Sequence, residues 1–201
     1  MLILRKIAVT GGLSCGKTTV CQLFQKKGAY IVNADAIVHQ LFSPQSPIKK
    51  QLIELLGEEI FQDAQVDTAK VAAKVFSNKE ILAALEALLH PKVIEEIEKQ
   101  YNQVQKRKEY TVFIVEIPLL YEIKKAHLFD TIIAVISDPK IAKKRFKEKT
   151  KYSAEEFEKR MTHQLPTSEK SARADFTIEN NGSYAELESQ VISIYQQITQ
   201  E

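Results

Sequence analysis

Short apolar runs and stretches of helix-period spacing take turns along this chain. Strand-like runs stand at Lys6–Thr10, Ala29–Val32, Thr111–Glu116, Thr131–Ile136 and Phe176–Ile178. Between them, apolar residues recur every third or fourth position, which predicts helices with one buried face. Val20–Lys27 turns Leu23 and Phe24 inward, and the last helix carries Leu187, Val191, Ile194 and Ile198 on one stripe. Several helix starts are marked by their side chains. Asp138-Pro139 sets a cap before a first-turn proline, and Ser153-x-x-Glu156 and Ser183-x-x-Glu186 are capping boxes. Strand alternating with helix predicts an α/β fold, a central parallel sheet flanked by helices.

The alternation lapses between Pro47 and Lys108. Helices are expected there at Lys49–Leu56, Thr68–Phe76, Lys79–Leu89 and Lys92–Arg107, with His90-Pro91 closing one and opening the next. The chain therefore reads as a single domain over 1–201. Its core covers about 1–46 and 109–201, and a helical insert covers about 47–108. A second departure is the basic run Lys140, Lys143, Lys144, Arg145, Lys147, Lys149 and Lys151, within a segment of about 140–165. Most of these lysines read as a solvated helix face. Arg145, just beyond a strand end, is the one expected to fold over phosphate.

Composition narrows the picture. With 201 residues, 44% hydrophobic and 27% charged, the chain is an ordinary globular protein with a sizeable core. A net charge of +2 gives no strong field for nucleic acid. No apolar run could span a bilayer, and no leader is expected at Met1–Leu4. Two cysteines and four histidines form neither a disulfide framework nor a metal-ligand spacing. These features predict a reduced, cytoplasmic setting, a small-molecule substrate, no membrane or nucleic-acid partner, and a monomer or weak homo-oligomer.

The most specific signal is Gly11-x-x-x-x-Gly16-Lys17-Thr18, the Walker A pattern, set between a strand and a helix. Backbone amides of the loop from Gly12 through Leu13, Ser14, Cys15 and Gly16 to Thr19 would cradle nucleotide phosphates at a helix N-terminus. Lys17 would reach the β- and γ-phosphates, and the Thr18 hydroxyl would ligate Mg²⁺. Cys15, beside Lys17 and the helix dipole, is expected to favour its thiolate. Glu116 ends an apolar strand and resembles a carboxylate that acts on the Mg²⁺ shell, although a strand-end residue facing solvent also fits. Asp35, just past the second strand, fits two roles equally: proton acceptor for an incoming hydroxyl, or N-cap of a helix over Ala36–Leu41. His90 reads as a structural cap, but it lies in the insert where nucleotide kinases hold their phosphate acceptor.

Taken in order, these motifs resemble those of the dephospho-coenzyme A kinases. Thr10-Gly-Gly-Leu-Ser-Cys-Gly-Lys-Thr-Thr19 is similar to the family's T-G-G-I-G-S-G-K-S-T, and Asn33-Ala-Asp35 to its D-A-D. Leu88-Leu-His-Pro91, Pro118-Leu-Leu-Tyr-Glu122, Arg145, Gln164 and Ala174-Asp175…Asn180-Asn-Gly182 match later elements. The resemblance implies a P-loop kinase fold with a helical acceptor-binding arm and a short basic lid. It implies transfer of the γ-phosphate of ATP to the ribose 3′-hydroxyl of dephospho-coenzyme A. Asp35 then matches the catalytic base, with Lys17 and Arg145 neutralising charge, and Asn180 falls at the adenine end of the nucleotide. Thr10, Asn33, Asp35, His90, Pro118 and Leu119 match acceptor-side positions, and Thr18 and Glu116 the metal positions. The chain departs from the pattern at Ser14, Cys15, Asn33, Lys149 and Thr150. A regulatory GTPase is disfavoured because no D-x-x-G follows the loop and Asn78-Lys-Glu-Ile81 misses the last position of N-K-x-D. A nucleic-acid module using Lys140–Lys151 is disfavoured because Phe146 within that run and Tyr152 just after it are its only aromatics.

Overall fold

In the computed structural model, which describes residues 4–62, 65–150 and 152–200, β1 (Arg5–Gly11) runs directly into the glycine loop and α1 (Lys17–Gln25) follows it. Next come β2 (Tyr30–Asn33), α2 (Ala34–Leu41), α3 (Lys49–Leu56), the short pair β3 (Phe61–Gln62) and β4 (Gln65–Val66), α4 (Thr68–Ser77) and the long α5 (Lys79–Gln105). The chain continues with β5 (Val112–Glu116), β6 (Thr131–Ile136), α6 (Pro139–Thr150), α7 (Ala154–Met161), α8 (Thr167–Arg173), β7 (Phe176–Glu179) and α9 (Tyr184–Gln200).

Five strands form a parallel sheet in the order β2-β5-β1-β6-β7. Central strands covered by helices on both faces must be apolar throughout. Accordingly Ile7, Ala8 and Val9 of β1 are fully buried, as are Phe113, Ile114 and Val115 of β5. Register fixes what meets at the sheet's C-terminal edge: Val9 lies opposite Glu116, and Gly11 opposite Val135. The glycine loop thus leaves the central strand between the ends of two neighbours, where open parallel sheets bind ligands. The α9 stripe is buried as its spacing predicts, with Leu187, Val191, Ile194 and Ile198 in one cluster with Val20, Leu23 and Phe24 of α1.

The chain divides into two compact units, Met1–Val32 with Tyr101–Glu201, and Asn33–Gln100. The second has its own core of Ile48, Leu52, Leu56, Ile60, Val71, Val75, Leu85 and Leu89. Two of its helices, α4 and α5, start on side-chain caps: Asp67 accepts from the Ala69 and Lys70 amides, and Asn78 from those of Glu80 and Ile81.

Two expectations change here. The break at His90-Pro91 is absent, because α5 runs unbroken through Pro91. Proline costs a helix the bond to the carbonyl four residues back, yet Pro91 lies on the exposed side. Meanwhile Leu85, Leu89, Val93 and Ile97 carry one buried i,i+4 stripe across it. The insert also holds the β3–β4 hairpin that its helical pattern concealed. Of the basic run, Lys151 lies outside the described residues.

Candidate active site

Two glycines shape the loop. At Gly11 (φ 143°) a Cβ would strike the Val135 carbonyl, and at Gly16 (φ 97°) it would strike the Asn180 side chain. Both positions sit in backbone space that L side chains avoid. Ser14 takes φ 56° as a non-glycine residue, so the chain tolerates a left-handed serine where the family pattern has glycine. Lys17 is buried, and its Nζ donates to the Gly12 carbonyl at 2.8 Å. The ammonium is therefore folded back over its own loop, beside the first amides of α1, which have no acceptor within the helix.

Beneath the loop, the Thr18 hydroxyl donates to Glu116 Oε1 at 2.8 Å. Glu116 is only 6% exposed, which removes the alternative of a strand-end residue facing solvent. An exposed hydroxyl held by a buried carboxylate is a hard-oxygen pair of the kind Mg²⁺ accepts. Among the described residues no group of three or more His, Cys, Asp or Glu side chains could hold a metal. A cation here would thus need nucleotide oxygens and water to complete its shell. The residues fit Mg²⁺ on those terms.

On one side of the loop, Thr10 Oγ1 donates to the Pro118 carbonyl at 3.1 Å, and Leu119 stands exposed one residue on. On the other, Asn180 is buried and its Nδ2 donates to the Cys15 carbonyl at 2.8 Å. Arg145 of α6 donates to the Asn180 carbonyl at 2.9 Å and to its Oδ1 at 3.4 Å. A single asparagine therefore links the basic helix to the phosphate loop. Under that helix opens a cleft of about 270 Å³, lined by Gly12, Leu13, Cys15, Lys143 and Phe157 among others. Lys143 pairs with Glu158 of α7 at 2.6 Å, and the Arg160 guanidinium lies 4.8 Å from the Tyr152 ring centroid. Lys149 is exposed, while Thr150 turns its hydroxyl back to the Phe146 carbonyl.

Cys15 departs from expectation. It is 1% exposed, and burial pushes its thiol above the ordinary range, with Lys17 opposing but not reversing the shift. Desolvation outweighs the nearby cations and backbone amides, so the favoured form is the neutral thiol.

Asn33, Asp35 and His90 belong to the Asn33–Gln100 unit. The N-cap of α2 is Asn33, whose Oδ1 accepts from the Ala36 amide at 2.9 Å. Asp35 is therefore not the cap; it is an exposed carboxylate in the first turn. His90 is half-buried within α5.

Lys170 had no signal in the sequence. This α8 lysine is fully buried and donates to the Pro118 carbonyl at 2.7 Å while pairing with Glu122 Oε1 at 2.8 Å. Tyr121 Oη, Glu122 Oε2 and Gln164 Oε1 are buried without a hydrogen-bond partner among the described residues.

Comparison with known proteins places this arrangement in context. Residues 5–186 match the family described as Dephospho-CoA kinase. A dephospho-CoA kinase from Protochlamydia amoebophila is 45% identical over 199 residues, covering 98% of each chain. A solved structure from Thermus thermophilus superposes with a TM-score of 0.84 at 28% identity, covering 98% of this chain and 100% of that one. The dephospho-CoA kinase structure from Campylobacter jejuni gives a TM-score of 0.72 at 26% identity, over 97% of each chain. With a family match over most of its length and a relative nearly half identical from end to end, the chain belongs to the dephospho-CoA kinase family.

Proposed function

We propose that the chain carries out the reaction for which its family is named, phosphorylation of dephospho-CoA to CoA, the last step of CoA biosynthesis. In this reading the donor is ATP, and the γ-phosphate passes to the ribose 3′-hydroxyl. The observation that carries it is the Thr18–Glu116 pair beneath a loop whose Lys17 is folded inward. Phosphoryl transfer asks a protein mainly for positioning and charge neutralisation. The loop amides from Gly12 to Thr19 hold the phosphates, and Lys17 swings from the Gly12 carbonyl to the transferring group. Arg145, placed by Asn180, adds charge from the lid side. Thr18 and Glu116 would hold Mg²⁺, which when bound would supply positive charge to the phosphates. Asp35 orients the 3′-hydroxyl and takes its proton late in the transfer, as a carboxylate of low basicity must. Asn33, His90, Thr10, Pro118 and Leu119 line the acceptor side. Asn180 serves the adenine end.

The reading extends to a cytoplasmic enzyme, a monomer or weak homo-oligomer, that acts on a small molecule and not on nucleic acid. No helix among the described residues is long and apolar enough to cross a membrane. The test is to incubate the protein with Mg²⁺, ATP and dephospho-CoA, with AMP, CMP and shikimate as parallel acceptors. Mass spectrometry should find CoA carrying a 3′-phosphate, formed only when Mg²⁺ is present. Ready phosphorylation of another acceptor, with no CoA formed, would overturn the assignment.

A further inference from the structure

A lysine at 0% exposure is unusual, since an ammonium leaves water only where its partners are well placed. Lys170 has two. Its Nζ donates to the Pro118 carbonyl at 2.7 Å and pairs with Glu122 Oε1 at 2.8 Å. Each partner does a second job. The Pro118 carbonyl also accepts Thr10 Oγ1, at the root of the phosphate loop. Glu122 Oε1 also accepts the Leu165 amide at 2.9 Å, where the chain leaves α7. The helix that carries Lys170 meets the loop directly, for a Cβ at Gly12 would strike the Thr167 methyl group. Three segments thus converge on one buried ammonium: the loop root, the Pro118–Glu122 turn and the exit of the basic α6–α7 segment.

Resting on the functional reading above, we infer that Lys170 is a positioning residue. It fixes the Pro118 carbonyl, and with it Thr10 and the Pro118–Leu119 edge on which the acceptor is placed. Glu122 ties the exit of the α6–α7 segment to the same pin. A salt bridge that served stability alone could be exchanged for a neutral pair with little loss. A donor that sets the direction of a carbonyl cannot be replaced in that way.

Substitution separates the two roles. Lys170→Met removes the donor and leaves Glu122 buried without its counter-charge. Lys170→Met/Glu122→Gln removes both charges yet keeps an acceptor for the Leu165 amide. Lys170→Arg keeps the charge and partial reach. Thermal melting and steady-state kinetics are measured on all three. Lys170→Met is expected to lower kcat/KM for dephospho-CoA by about 10- to 100-fold, the scale of a misplaced reacting group. Most of that loss should fall on the acceptor KM, with the ATP KM within about twofold of wild type because the loop backbone carries nucleotide binding. The double variant should regain melting temperature but not acceptor KM, and Lys170→Arg should recover part of the loss. If Lys170→Met does not fold, the double variant alone decides. Recovery of both stability and kinetics in the double variant overturns the inference, as does an equal rise in the ATP and acceptor KM. Amide exchange at residues 117–123 gives a reading that needs no acceptor. It should quicken in the double variant, and unchanged exchange there also overturns the inference. Wild-type protein that forms no CoA would instead sink the functional reading.

Discussion

Asp35 lies two residues past the cap of α2, and Asn33 already satisfies the Ala36 amide. The helix therefore does not depend on Asp35 for its N-cap, and a charge-removing substitution tests the proton acceptor without removing a cap. Asp35→Asn should lower turnover by about 10²- to 10⁴-fold, the range for general acid–base groups. The part of its stability that comes from the helix start should change little, because an acidic residue in an exposed first turn contributes only about 0.3–1 kcal/mol through the helix dipole. Initial rates at saturating substrates, beside a thermal melt, check both halves. Near-normal turnover would mean that the proton leaves by another route. Cys15 shows how a single residue can mislead: proximity to Lys17 and a helix N-terminus is local and readable, whereas its 1% exposure is set by the fold. The tertiary effect is the larger one.

At the scale of elements, legibility followed the range of the interaction. The Ser183–Glu186 box formed as written: Glu186 Oε2 accepts from the Ser183 amide at 2.6 Å, and Ser183 Oγ accepts from the Glu186 amide at 3.3 Å. The glycine loop was legible for the same reason, since its spacing encodes its own geometry. Lys170 was not, because in Glu169-Lys-Ser-Ala-Arg173 it looks like any solvated lysine and its partners lie far back in sequence. The supposed break at Pro91 failed because a buried stripe on the opposite side holds α5 together. The capping box also makes a measurable prediction. Ser183→Ala should cost about 1 kcal/mol, as lost N-caps do, because α9 closes the core over α1. The Ser183 amide and hydroxyl hold the Glu186 carboxyl below its ordinary value. A carboxyl lowered in the folded state adds stability above its unfolded pKa, and that contribution is lost as pH falls through the folded value. Wild type should therefore exceed Glu186→Gln in urea midpoint at pH 7, and the gap should close on acidification below about pH 4. A gap that stays constant with pH would show that the charge is irrelevant to the cap.

For the molecule as a whole, the two units have separate cores, and only one contains the phosphate loop. The loop root, Glu116, Asn180 and Arg145 all belong to the Met1–Val32 and Tyr101–Glu201 unit, beside the parallel sheet. Asn33–Gln100 is held by its own cluster around Leu52, Leu56 and Ile60. A ligand that binds only the folded loop stabilises what must open to release it, by about 2.7 kcal/mol when present at 100 times its Kd. Mg-ADP has no γ-phosphate to give, so as a probe it separates nucleotide binding from acceptor chemistry. Amide exchange should slow at residues 12–19 and 180–182, because the loop amides gain acceptors and Asn180 is bonded to the loop through Cys15. Exchange in α3 and α4 should stay within about twofold, since a local protection need not pass into a unit with its own core. Slowing confined to α3 and α4, with none at the loop, would move the nucleotide site to the other unit and undo the roles given to Lys17, Thr18 and Glu116.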